Sequence, residues 1–427
     1  MKIDLDNLQI INEDISQSDS ESTTINITGD WAPDLGSISD ILIEKQESYY
    51  GKIVKFFHSG NLNIVNLETV IDTQKRDFEK GAVRLIDKPE VLASLKSINT
   101  HLACLANNHI MDNGADGLDQ TIKYLEEYKI DYIGAGLSKE DIYKPYLFEK
   151  NGQKLAVINT AEGEEANEKY NGHIGASDIE SYKIIDKIRE YKKQGYFTIL
   201  IAHAGVEFIP TPPPHIQELY HTFVDEGADL VVGHHPHVPQ GFEICKDAPI
   251  FYSLGNFAMW KKHWRENCYH SYFLNIEIMN NQLSCINIVP FEIKKDSLSL
   301  ISKEDYIIKI KELNELLLQN NEIWKEYLYS VNLRDSYISE FFSIFYNYNK
   351  HKYNQINYHT TLSKKYIHLD SMKGEYKSNL EFKNILDKWQ IKYNKNKLSG
   401  LKNILNPIHK ILSNTRKLLG KIKRKIR

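Results

Sequence analysis

The chain has 427 residues, 41% of them hydrophobic, which suffices for one large domain plus an extension or for two ordinary domains. Its 53 basic residues are balanced by 57 acidic ones, which excludes a globally basic nucleic-acid binder. Cys104, Cys245, Cys268 and Cys285 are widely spaced without a CxxC pair, so neither a zinc knuckle nor a disulfide framework is indicated.

Residues 1–22 are acidic and Ser-rich and read as a lead-in or a short edge element. They lack a charged segment followed by an apolar core, and no run of about eighteen apolar residues occurs anywhere. The expectation is a cytoplasmic protein, peripheral at most on the inner membrane face.

The first strand, Thr24–Thr28, runs into Gly29-Asp30, and a second, Leu62–Val65, into Asn66-Leu67-Glu68. Pro89 to Leu95 reads as a helix with Pro in its first turn. A strand at Leu102–Leu105 ends in Ala106-Asn107-Asn108-His109; Asp116–Tyr128 then follows a helical period, and Asp131–Ile133 returns to a strand. Leu155–Ile158, Thr198–Ile201 and Leu230–Val232 are further strands, with helices near 178–193 and 214–226. Tyr269 to Ile293 reads as a hairpin around Asn280-Asn281 that closes the domain. This alternation predicts an α/β layered domain over 23–300.

Beyond residue 300 Gly and Pro become scarce, and 301–400 reads as a helical extension. Residues 401–427 hold nine Lys or Arg and no Asp or Glu, with apolar residues at helical spacing. Such a basic amphipathic helix suits an anionic membrane surface, its own protein or a partner chain.

The polar residues fall where ligands bind in open α/β sheets, just past the carboxyl ends of strands. Asp30 and Glu68 offer anionic oxygens, Asn108 a neutral carbonyl oxygen, and His203, His235 and His237 imidazole nitrogens. A mixed nitrogen and oxygen set of this kind suits one or two divalent ions, Mn, Fe or Zn rather than Ca. Two ions about 4 Å apart can hold a hydroxide as nucleophile and clamp an oxyanion, with His109 as general acid to the leaving oxygen.

Six motifs occur in order: Gly29-Asp30, Asn66-Leu67-Glu68, Ala106 to Gly114, His203-Ala204-Gly205-Val206-Glu207, Gly233-His234-His235-Pro236-His237 and Tyr252-Ser253-Leu254-Gly255-Asn256-Phe257. Together they resemble the CapA family of capsule (poly-γ-glutamate) biosynthesis proteins, within the calcineurin-like metallophosphoesterase superfamily. The resemblance covers roughly 24–260 and implies a four-layer α/β/β/α metallophosphoesterase-like sandwich with a dimetal site at one sheet edge. Carried over residue by residue, the site is Asp30, Glu68, Asn108 with His109, His203, and His235 with His237. Two departures stand out. Asp30-Trp31-Ala32 replaces D-x-H, so one imidazole is missing, and Glu68 stands where the superfamily has an Asp.

Around this set, Asn107 reads as a loop-holding residue and His234 as a support behind the ligands. Glu207 is placed to orient a ligand histidine. Glu162 and Glu164 follow a strand end and are placed to bind a cationic substrate group or act as a base, although a solvated acidic loop is the plainer reading. Ser253 to Phe257 read as bracing the site from the next strand, with Asn256 the candidate for substrate contact; His101, His173, His215 and His221 have no motif around them and read as surface or satisfied core residues. The function expected is a metal-dependent hydrolase in capsule or extracellular polymer biosynthesis, on a small-molecule or polymer substrate. Its rivals are a peptide or amino-acid epimerase on the same pocket, and a non-catalytic subunit of a membrane polymer synthase.

Overall fold

Apolar runs closed by small or polar residues build two large sheets in the computed structural model, which describes residues 1–15, 21–73, 84–163, 166–169, 171–262 and 264–324. Glu164, most of the helical extension and the basic 401–427 segment lie outside the described residues.

The first sheet has ten strands. Thr23–Trp31, Leu62–Leu67, Leu102–Cys104 and Asp131–Ile133 lie side by side in parallel. Asn256–Ala258 adds a short parallel pairing to the end of Thr23–Trp31. The second sheet has six strands, with Gln153–Ala161, Phe197–His203, Leu230–His234 and Ala248–Phe251 parallel at its centre. Tyr146–Lys150 and Phe242–Cys245 pair antiparallel at its two edges. Phe197–His203 and Leu230–His234 are buried along their whole length, which explains the unbroken runs Ile199-Leu200-Ile201 and Leu230-Val231-Val232.

Helices pack where the sequence periodicity puts an apolar stripe. In Gly114–Glu127 the buried residues Leu118, Ile122 and Leu125 follow a helical repeat and join a core with Val65, Leu67 and Ala103 of the first sheet. On the second sheet, Ile184 and Ile188 of Tyr182–Lys193, with Ile216, Tyr220 and Phe223 of Pro214–Asp225, cover Leu200, Ala202 and Val231. Ile199, Ile201 and Val232 alternate with those residues, so they point to the sheet's other face, where they are equally buried.

One expectation changes. The hairpin His270–Met279 and Gln282–Ile293 turns at Asn280 and Asn281, both with positive φ, as a two-residue turn requires. It does not close the domain from an edge: His270–Met279 pairs with Thr23–Trp31, and Gln282–Ile293 pairs with Gln9–Ile11. The edge is made by Lys2–Asp4 and Gln9–Ile11, within the segment whose alternative reading is a short edge element. After the hairpin, the helix Lys303–Leu318 packs back on the domain. Its Asn314 Oδ1 accepts from Phe242 N at 3.0 Å, and Tyr306 lies edge-on to Tyr272.

Among the described residues no helix is long and apolar enough to cross a membrane.

Candidate metal centre

The carboxyl ends of both parallel sets meet at one edge. Asp30 lies near the end of Thr23–Trp31, Glu68 directly follows Leu62–Leu67, and Asn107 to His109 follow Leu102–Cys104. His203 and His234 end their strands, and His235 and His237 occupy the next turn. The sheets are tied together beside the site. His234 Nε2 donates to Thr28 O at 2.7 Å, and Ala106 N donates to Asn159 Oδ1 at 2.8 Å.

Glycines before the candidate ligands make this closeness possible. A Cβ on Gly29 would lie 1.9 Å from Gly255 O, and one on Gly233 would lie 2.0 Å from Tyr252 O. Both contacts are with backbone, which cannot step aside cheaply. Gly29→Ala and Gly233→Ala are each expected to cost about 1–3 kcal/mol of stability in urea unfolding, as overpacked sites do. His235 and His237 themselves have positive φ, +100° and +58°, a rare conformation for a side-chain-bearing residue. Strain of this kind concentrates at functional sites.

His203 Nε2 is the focus of one donor group. It lies 3.0 Å from Asn108 Oδ1, 3.1 Å from His235 Nδ1 and 3.4 Å from Glu68 Oε1. Donors bound to one ion at about 2.1 Å with tetrahedral to octahedral angles stand roughly 3.0–3.4 Å apart, so this spacing fits a metal. Burial pulls the His203 pKa down to about 3, which keeps the imidazole neutral, as a ligand must be.

Glu68 is fully buried, and among the described residues neither carboxylate oxygen accepts a hydrogen bond. Burial, and then the neighbouring Asp30 carboxylate, push its pKa up to about 7. Oε1 faces His203, while Oε2 lies 3.9 Å from His237 Nδ1. The carboxylate thus belongs to both buried groups able to hold a cation, Glu68 with His203 and His235, and Asp30 with Glu68 and His237. A buried carboxylate that accepts no hydrogen bond is costly, and a cation relieves the cost.

The second group is less well supplied. Asp30 accepts from Asn66 Nδ2 at 2.8 Å and lies 3.3 Å from His237 Nδ1. Burial opposes its charge, but the surrounding histidines, His237 first, hold its pKa well below the usual carboxylate range. Ala32, where D-x-H would place an imidazole, sits in an apolar cluster with Leu85 and Met259, and Trp264 packs against it. Asn256 is also buried here. Its Nδ2 donates to the carbonyls of His237 and Cys268, which fixes the amide and leaves Oδ1 to accept from His237 Nδ1 at 3.0 Å. Asn256 therefore orients His237. Burial opposes protonation of His237, but Glu68 and Asp30 outweigh it and raise its pKa to about 10.

His109 lies at the edge of the first group, Nε2 4.0 Å from Glu68 Oε1. Its Nδ1 is 2.7 Å from Asp112 Oδ2, which also accepts from Leu85 N, and its backbone N donates to Asn107 Oδ1. Asn107 in turn donates to Leu67 O and so holds the loop. Glu162 is not a solvated loop residue: Oε2 accepts from Gly205 N at 2.8 Å, and Oε1 lies 3.3 Å from His215 Nε2. Glu207 is exposed and makes no hydrogen bond to a ligand histidine among the described residues, contrary to its expected role.

Sequence reading assigned no role to Asn66, Asp112, His215, Phe208 or Trp264. Asn66 and Asp112 stand inside the quoted motifs, where a polar residue a few positions from a ligand was the available signal. His215 had none; the first turn of its helix carries it to the same edge. Phe208 and Trp264 flank the His237 ring, with centroids 5.9 Å and 5.1 Å away.

Comparison with known proteins covers the same stretch. Residues 24–260 match the family model described as bacterial capsule synthesis protein PGA_cap. The capsule biosynthesis protein CapA of Bacillus anthracis is 31% identical over 246 residues, 56% of this chain and 58% of that protein. The PGA biosynthesis protein CapA of Bacillus subtilis is 28% identical over 285 residues, 65% of this chain and 73% of that protein. The chain thus spans less than two thirds of the first of these relatives. A solved structure of a hypothetical protein from Thermus thermophilus aligns with TM-score 0.39 at 13% identity, over 64% of this chain and 100% of that one. With the family model matching more than half of its length, the chain belongs to the CapA family of bacterial capsule synthesis proteins.

Proposed function

We propose that the chain is a metal-dependent hydrolase of the metallophosphoesterase type, working in the biosynthesis of a capsule or other extracellular polymer, poly-γ-glutamate or polysaccharide. The observation that carries this reading is Glu68: a buried carboxylate with two undonated oxygens, one turned to each group of candidate ligands. The two sheets with their flanking helices, over 23–300, are read as the four-layer α/β/β/α sandwich of that superfamily.

Glu68, Asn108, His203 and His235 would hold one divalent ion; Asp30 and Glu68, with His237 once the ion displaces its extra proton, would form the sparser second set. A divalent ion bound there polarises a phosphoryl or carbonyl oxygen and lowers the pKa of water. The chain's own residues supply the rest. His109 Nε2 delivers a proton to the leaving oxygen, and Asp112 holds the ring and stabilises its protonated form. His234 and Asn256 keep the histidine-bearing turn in place from behind. Glu162 has both oxygens engaged by Gly205 N and His215, which argues against it as a base for epimerisation.

The test is metal content and turnover on the same samples of the full chain, wild type beside His203→Ala. Substrates would be a phosphomonoester, a phosphodiester and a γ-glutamyl amide. We expect one or two ions per chain in the wild type, lost in the variant together with turnover. A metal-free wild type, or turnover that survives His203→Ala, would sink the reading. The 401–427 segment is proposed to attach the protein to anionic membrane surfaces through its basic residues. Vesicles rich in phosphatidylglycerol should sediment the full chain and not a chain ending at residue 400.

A further inference from the structure

Arg265 lies on the rim of the metal centre without an acidic partner. Its guanidinium carbon sits 5.5 Å over the Phe208 ring, and Nη1 donates to Phe208 O at 3.3 Å. The same Phe208 ring is 5.9 Å from the His237 ring, and Trp264, adjacent in sequence to Arg265, is 5.1 Å from His237 and edge-on to Phe208. Among the described residues no carboxylate pairs with Arg265. Its neighbours differ: Lys261 is locked to Asp34 at 2.6 Å, and the distant Arg189 to Glu226 at 2.5 Å.

The seat of Arg265 is itself strained. Phe208 has φ +64°, held by its N–H donating to Pro236 O at 2.8 Å. A phenylalanine rarely adopts this region. The strained residue presents both ring and carbonyl to the guanidinium, a geometry that stacks the cation and uses one of its five N–H donors. The rest of the fork remains to bind a planar oxyanion in two parallel hydrogen bonds.

We propose that Arg265, clamped by Phe208, binds an anionic group of the substrate beside the bond that is cleaved, so that the enzyme selects a carboxylate- or phosphate-bearing polymer. This rests on the hydrolase reading of the adjacent metal centre. An arginine serves here where a lysine would not, because recognition depends on the flat two-pronged edge and on stacking against the ring.

Calorimetric titration of the full chain, loaded with Mn²⁺, tests it with two probes, a γ-linked glutamate tetramer and inorganic phosphate. Arg265→Met should weaken at least one probe by about 10-fold or more, with metal content unchanged. Arg265→Lys should recover only part of the loss, and Arg189→Met should bind as the wild type does. Loss confined to the tetramer identifies a carboxylate as the partner, and loss confined to phosphate identifies a phosphate. Unchanged affinity for both probes in Arg265→Met, or no binding of either by the wild type, overturns the proposal. Metal content of the wild type, read on the same samples, reports separately on the hydrolase reading: a metal-free wild type sinks that reading, whereas a metal-loaded chain indifferent to Arg265 sinks only this inference.

Discussion

Glu68→Gln is expected to abolish metal binding and turnover while making the metal-free protein more stable than the wild type at neutral pH. The side chain keeps its shape and loses its charge. In the metal-free wild type the folded state holds the Glu68 proton up to about pH 7, whereas an unfolded chain releases it near the ordinary value of 4.5. Between those values the folded protein binds more protons, so this residue makes stability fall as pH rises from about 4.5 to about 7. The glutamine variant lacks that dependence. Its advantage over the metal-free wild type should grow across the same window and level off above it, at about 3 kcal/mol by the linkage relation.

Urea unfolding of both proteins in chelator, at several pH values, reads this difference directly. Adding metal should then reverse the order, because an ion that binds only the folded wild type stabilises it by mass action. A variant that is less stable than the metal-free wild type at every pH would show that Glu68 is satisfied by the protein alone. That result would remove the main support for a cation at this edge.

The strand ends were legible because each combines two signals: a buried apolar run, and an abrupt change to Asp, Glu, Asn or His. Asp131–Ile133 was placed with its observed bounds, and Leu230–Val232 fell short only by Gly233-His234, polar or small residues that extend the strand into the site. The pairing of strands distant in sequence was not legible. Nothing local in His270–Met279 says that it lies between Thr23–Trp31 and its own hairpin partner, because any alternating strand can serve in the middle of a sheet or at its rim. The supporting residues were hidden for a similar reason. Asn256 and Asp112 act through geometry: one through an amide fixed by two carbonyls, the other through an oxygen shared by His109 and Leu85 N. Their residue types alone are equally at home in ordinary turns. Phe208 and Trp264 carry no motif around them, and only the folded chain brings them against His237.

His109→Gln is expected to lower turnover by about 10²–10⁴-fold on substrates with poor leaving groups while leaving metal content unchanged. The dependence on the leaving group is the informative part. A nitrophenolate departs without help, so its hydrolysis should suffer little; an alkoxide or amine needs the proton, and there the loss should be full. Asp112→Asn should act in the same direction but more weakly, about 10–100-fold, because the amide can still accept from His109 Nδ1 but no longer stabilises a positive ring. If His109→Gln instead strips the metal, the imidazole supports the ligands and does not deliver a proton. If it slows both classes of leaving group equally, His109 acts on the attacking side of the reaction. The distance of 4.0 Å between Nε2 and Glu68 Oε1 favours the proton-donor role, since it keeps the ring beside the donor group but outside the 3.0–3.4 Å spacing shared by Asn108, His203, His235 and Glu68.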